Sequence, residues 1–109
     1  MFGVMNEPHD VPDISIWART VQEVVAAIRR TGVTRQKILL PGNNWTSAAT
    51  FVSSGSADAL SRVVDFDGSK HNLIFDVHKY LDADNSGMHE SVCLGILHPL
   101  MMRCFIGSV

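Results

Sequence analysis

Lys37-Ile38-Leu39-Leu40-Pro41-Gly42-Asn43-Asn44-Trp45-Thr46-Ser47 is a short apolar run, a hard stop at proline and glycine, and a polar loop broken by one large ring. That sequence of events reads as a buried strand delivering a loop. Upstream of it, Asp13 is a plausible N-cap. Behind it Ile14, Trp17, Val21, Val24, Val25 and Ile28 recur at three and four, which predicts an amphipathic helix. The helix should stop at Thr31-Gly32, with Arg29 and Arg30 suiting the negative end of its dipole. Further back, the apolar Met1 to Met5 ends abruptly in Asn6-Glu7-Pro8 and reads as a buried strand, since proline cannot donate to a ladder. Downstream, a weaker helix is expected over Ser56 to Val64, capped by Ser56, followed by a turn at Asp65-Phe66-Asp67-Gly68-Ser69. Asn72-Leu73-Ile74-Phe75-Asp76-Val77-His78 is a third, mostly apolar strand leading into Lys79-Tyr80.

Strand, helix, strand, helix, strand with connections this short predicts an α/β fold with parallel strands and right-handed crossovers. Both a (β/α)8 barrel and an open doubly wound sheet have that order. In either, Asn6 and Glu7, then Asn43, Asn44 and Trp45, then His78 and Tyr80 fall at the C-terminal ends of consecutive strands and share one rim. No glycine-rich phosphate loop follows any strand, which weakens a nucleotide-binding reading.

Composition narrows the partners. The chain has 109 residues, nine Lys plus Arg against eleven Asp plus Glu, and a net charge of −2, so one modest domain is expected. No basic run attracts a nucleic acid or an anionic membrane. No stretch approaches the roughly 18 apolar residues of a membrane span, and the first residues carry no signal-peptide pattern. Cys93 and Cys104 make neither a disulfide framework nor a zinc pair, and His9, His71, His78, His89 and His98 lack metal-site spacing. Neither a metal nor a cofactor is expected. Asp82-Ala83-Asp84-Asn85-Ser86-Gly87 imitates the opening of a calcium loop, but the twelfth position, which needs a glutamate, is Cys93; an exposed acidic turn is the better reading.

At the rim, Glu7 is a carboxyl group that can serve as a general acid once its surroundings raise its pKa. In isolation Asn6-Glu7-Pro8 is also an ordinary turn. His78 and Tyr80, two apart, can project to one side and hydrogen-bond a sugar or a carboxylate, although each is more often structural. Trp45 is either a stacking platform for a pyranose ring or a lid over a barrel end. Asn44-Trp45-Thr46 fits a glycosylation acceptor, at what would be the cleft.

Asn6-Glu7-Pro8-His9-Asp10, Leu40-Pro41-Gly42-Asn43-Asn44-Trp45 and Ile74-Phe75-Asp76-Val77-His78-Lys79-Tyr80-Leu81-Asp82 together resemble consecutive segments of fungal endo-β-1,4-glucanases of glycoside hydrolase family 5. The resemblance runs from Phe2 to about His89. It implies strands four to six of a (β/α)8 TIM barrel and retaining hydrolysis of internal β-1,4-glucosidic bonds of cellulose. By that similarity Glu7 is the acid/base, Asn6 holds the 2-hydroxyl of the reacting sugar, His78 and Tyr80 position sugar and nucleophile, and Trp45 lies in the glucan cleft. A full barrel takes roughly 250 residues, so the resemblance implies a fragment: residues 1–92 as a partial barrel and 93–109 as an unassigned apolar tail. The family's nucleophile, a glutamate at the end of strand seven, has no counterpart, because Glu90 comes too soon after strand six and neither Asp76 nor Asp82 matches that position. Cys93 falls near a cysteine used by fungal relatives. A partial or misassembled gene product is the expectation, from a parent enzyme that the family places outside the cell. The rival is a catalytically inactive carbohydrate-binding remnant in which Asn6, Trp45 and His78 still line a groove. A three-strand parallel sheet on its own would also leave two edges unpaired and be prone to associate.

Overall fold

The computed structural model describes residues 1–80 and, as backbone, 102–108. Its elements are β1 (Phe2–Gly3), α1 (Ile14–Arg30), β2 (Ile38–Pro41), α2 (Ser56–Leu60), β3 (Leu73–Lys79) and β4 (Met102–Ser108). They build one sheet in the order β1-β2-β3-β4. β1, β2 and β3 run parallel, with Phe2 opposite Ile38, Leu39 opposite Ile74 and Pro41 opposite Asp76. The expected parallel α/β order is therefore present. Among the described residues no helix is long and apolar enough to cross a membrane.

β2, between β1 and β3 in the sheet, is buried at every residue. Alternation along the strands sorts the side chains. Ile38 and Leu40 of β2, with Leu73 and Val77 of β3, join Val21 and Val25 of α1 and Leu60 near the second crossover in one core. Leu39, Pro41, Asp76 and His78 belong to the other face, the face that carries the rim residues.

α1 starts and stops where its caps demand. The Asp13 carboxylate accepts the backbone N–H groups of Ser15 and Ile16, and the N–H of Gly32, in the left-handed region at φ 87°, returns to the carbonyl of Arg29. Its buried stripe is Ala18, Val21, Val25 and Arg29. Arg29 thus does more than meet the helix dipole. With its side chain 2% exposed, it pairs with the equally buried carboxylate of Asp65, Nη2 to Oδ2 at 2.7 Å and Nε to Oδ1 at 2.8 Å. Its remaining nitrogen donates to the carbonyls of Val33 and Gln36, so the guanidinium ties the end of α1 to both neighbouring loops.

Three expectations need correction. The first strand is only Phe2–Gly3 and is exposed, with Phe2 at 41%, because β1 borders β2 alone and forms the edge of the sheet. The second helix stops at Leu60 rather than Val64, since the Gln22 amide takes both the N–H and the carbonyl of Val64. Its N-cap is Gly55 at φ 76°; Ser56 is the first helical residue, and its hydroxyl instead accepts the N–H of Asn43. The tail supplies β4, antiparallel to β3, so the far edge of β3 is occupied rather than open. The acidic turn 82–87, Glu90 and Cys93 lie outside the described residues.

Candidate active site

Gly42 begins the site. A Cβ there would lie 2.6 Å from Cβ of Ser56 and 2.7 Å from the Phe51 ring, so only glycine lets the loop after β2 turn this close to the second crossover. Asn44, Trp45 and Thr46 then follow one another in the left-handed region at φ 55°, 55° and 53°. Such conformations cost roughly 1–3 kcal/mol each where the residue is not glycine and cluster at functional sites. Local hydrogen bonds hold the turn, from the N–H of Thr46 to Asn43 and of Ser47 to Asn44.

The loop is stitched to both neighbours. Trp45 N–H donates to the carbonyl of Pro8, and the Asn43 amide pairs with the backbone of Val11. On the other side His78 N–H donates to the carbonyl of Thr46, and Ala48 N–H to that of His78. The fully buried Thr46 accepts the N–H of Gly42 and donates its own hydroxyl proton to the carbonyl of Asp76. Backbone around three strand ends is thereby locked into one rim.

Glu7 stands on that rim, also left-handed at φ 47°. Its Oε1 lies 2.6 Å from Nδ1 of His78 and accepts the hydroxyl proton of Tyr80 at 2.9 Å. Thus His78, near the end of β3, and Tyr80, just past it, both converge on one carboxylate oxygen. His78 is buried, 4% exposed, while the Glu7 side chain keeps 20% of its surface, enough for contact with a ligand. A carboxylate oxygen gripped by an imidazole and a phenol, with access from outside, is equipped to hold and release one proton at a defined place.

Asn6 is exposed beside it. It lines two shallow hollows, one of about 580 Å³ shared with Glu7 and His9, the other of about 320 Å³ shared with Leu39 and Asp76. Trp45 is 52% exposed, and one face of its indole stacks on His9, centroids 5.0 Å apart and planes at 17°. Sequence reading missed His9, Thr46 and Asp76. Asp76 could have been found from its i, i+2 spacing to His78, which puts both on one face of β3.

The comparisons with known proteins bear on this geometry. The cellulase family, glycosyl hydrolase family 5, matches residues 1–102. Endoglucanase EG-II of Hypocrea jecorina is 68% identical over 88 residues, 81% of this chain but 21% of that protein. The crystal structure of Cel5A (EG2) from Hypocrea jecorina superposes with a TM-score of 0.78 at 68% identity, covering 81% of this chain and 26% of that one. An endo-β-1,4-glucanase from Xanthomonas axonopodis pv. citri gives 0.69 at 38% identity, covering 81% and 28%. This chain therefore spans about a fifth of the curated relative's length, and its parallel α/β segment is a portion of the family's TIM-barrel fold. The chain belongs to the glycosyl hydrolase family 5 cellulases.

Proposed function

We propose that this chain carries the acid/base half of a retaining endo-β-1,4-glucanase site. Glu7 is the acid/base: it protonates the glycosidic oxygen as the bond breaks, then takes a proton from the water that releases the sugar. His78 and Tyr80 fix the carboxyl group, Asn6 hydrogen-bonds the reacting sugar, and Trp45 offers an exposed ring to a pyranose of the β-1,4-glucan. The observation that carries the reading is the convergence of His78 and Tyr80 on one oxygen of Glu7. A structure described as XacCel5A in complex with cellopentaose is 38% identical to this chain, which supports a β-1,4-glucan as the ligand. The parent enzyme acts outside the cell, since a polymer such as cellulose cannot reach an enzyme inside it.

The second carboxyl group that retention requires, about 5 Å from the first, would come from outside residues 1–80. A chimera tests this: residues 1–80 replace their counterpart in the Hypocrea endoglucanase. It should hydrolyse cellulosic polymer, and Glu7→Gln should lose about 10²- to 10⁴-fold on that substrate. A dinitrophenyl cellobioside needs no acid to leave, so cleavage of its glycosidic bond should be nearly unaffected. Equal loss in the pre-steady-state burst of dinitrophenol, which reports bond cleavage apart from the later water step in which Glu7 acts as base, would remove Glu7 from the acid role. This chain by itself should bind cellopentaose without hydrolysing it.

A further inference from the structure

β3 places Asp76 and His78 two residues apart on one face of the sheet, both 4% exposed. The carbonyl of Asp76 is pinned by the Thr46 hydroxyl, so the strand cannot swing its side chain away. Asp76 Oδ1 lies 3.3 Å from His78 Nε2, within ion-pair reach but not aligned as a hydrogen bond, and both atoms are buried without a hydrogen-bond partner. On the opposite edge of the same ring, Nδ1 meets Glu7 Oε1. Carboxylate, imidazole and carboxylate therefore stand in line, with Tyr80 the further group on Glu7.

A buried carboxylate oxygen and a buried imidazole nitrogen left unbonded are costly, and a small ring rotation that joins them removes both costs at once. We propose that Asp76 is a positioning residue that accepts the Nε2 proton of His78 and so keeps that nitrogen protonated. Nδ1 is then the nitrogen that exchanges a proton with Glu7. With the proton on Glu7, its O–H donates to bare Nδ1; with the proton on the ring, Nδ1–H donates to the Glu7 carboxylate. The Nε2 proton and the Tyr80 hydroxyl bond are the same in both states. In the absence of Asp76, Glu7 is the carboxylate among the described residues that the ring still faces, and it draws the proton of a neutral imidazole to Nδ1. The assignment rests on the reading of Glu7 as the acid/base, but its test does not use hydrolysis.

Long-range ¹H–¹⁵N spectra of the labelled chain at about pH 8 report which ring nitrogen of His78 carries hydrogen. The expected result is a protonated Nε2 in the wild type. Asp76→Asn, which keeps a carbonyl acceptor, should retain it, and Asp76→Leu should convert most of His78 to the Nδ1–H form. A bare Nε2 in the wild type overturns the proposal whether or not the variants fold, as does a folded Asp76→Leu that keeps Nε2–H. Either result would leave the Glu7 reading standing. Equal loss in the dinitrophenol burst of the chimera would instead remove Glu7 and leave the tautomer unchanged.

Discussion

Asp65→Ala strands the guanidinium of Arg29 inside the protein, and its cost follows from what remains around that group. Both partners are nearly inaccessible, at 2% and 3% of side-chain surface, and three hydrogen bonds from Arg29 go to this one carboxylate. Only the carbonyls of Val33 and Gln36 would still accept from it. Breaking a buried pair from one side costs about 3–5 kcal/mol, against a total stability of about 5–15 kcal/mol for a small domain. With a urea slope of about 1–2 kcal/mol/M, the midpoint should fall by roughly 2 M or the folded baseline should vanish. Arg29→Met should behave similarly, since it leaves the two carbonyls without that donor. The pair Arg29→Met with Asp65→Leu should lose less than the two single changes added, by up to about 3 kcal/mol. Arg62 and Asp58 form an internal control: 2.6 Å apart, but 74% and 75% exposed, so Arg62→Ala should cost no more than about 0.5 kcal/mol. Urea titrations followed by far-ultraviolet circular dichroism decide the matter. If Asp65→Ala costs no more than Arg62→Ala, burial does not set the strength of this pair and the reasoning fails.

The same pair predicts acid lability. Hydrogen bonds from Arg29, assisted by the N–H of Phe66, hold the Asp65 carboxyl below the usual carboxylate range. A carboxyl whose folded pKa is lowered contributes stability that is complete above its unfolded value, near 4, and is lost as pH falls through the folded value; melting temperature should drop below about pH 4, and by less in Arg29→Met. Gly42→Ala should cost about 1–3 kcal/mol, because its methyl group meets Ser56 and Phe51 at 2.6 and 2.7 Å. A fall of at least about 4 °C in melting temperature is expected, and an unchanged melt would mean that the crossover yields.

What could be read from the chain were the features that periodicity and capping control: Asp13 and Gly32 at the ends of α1, the apolar runs of β2 and β3, and the delivery of Glu7, His78 and Tyr80 to one rim. The second helix was legible as to place but not length. Its end depends on Gln22, forty-two residues before Val64, and no local signal announces a side chain that will occupy the backbone of Val64. β4 was hidden for a related reason: an antiparallel edge strand needs only an unpaired neighbour, and the neighbour is supplied by the fold rather than by the tail.

Charges inside the protein were the harder omission, and Arg29 and Asp76 fail to announce themselves in different ways. Arg29 sits four residues after Val25, so helical phasing puts it on the buried stripe, yet a charged residue near a helix C-terminus already has a sufficient explanation in the dipole. Only the position of Asp65 after the second crossover turns it into an interior pair. Asp76 lies in a strand whose two neighbours, Phe75 and Val77, face the helices, and alternation alone assigns it to the rim side with His78. There the physical cost is informative. Burying a carboxylate in a strand is unfavourable unless something accepts or answers its charge, and here the group that answers is the imidazole that holds Glu7. If Asp76 positions His78 as proposed, the ring is oriented before any ligand arrives, which is what a proton donor at Glu7 would need if its geometry is not to be reorganised during the reaction.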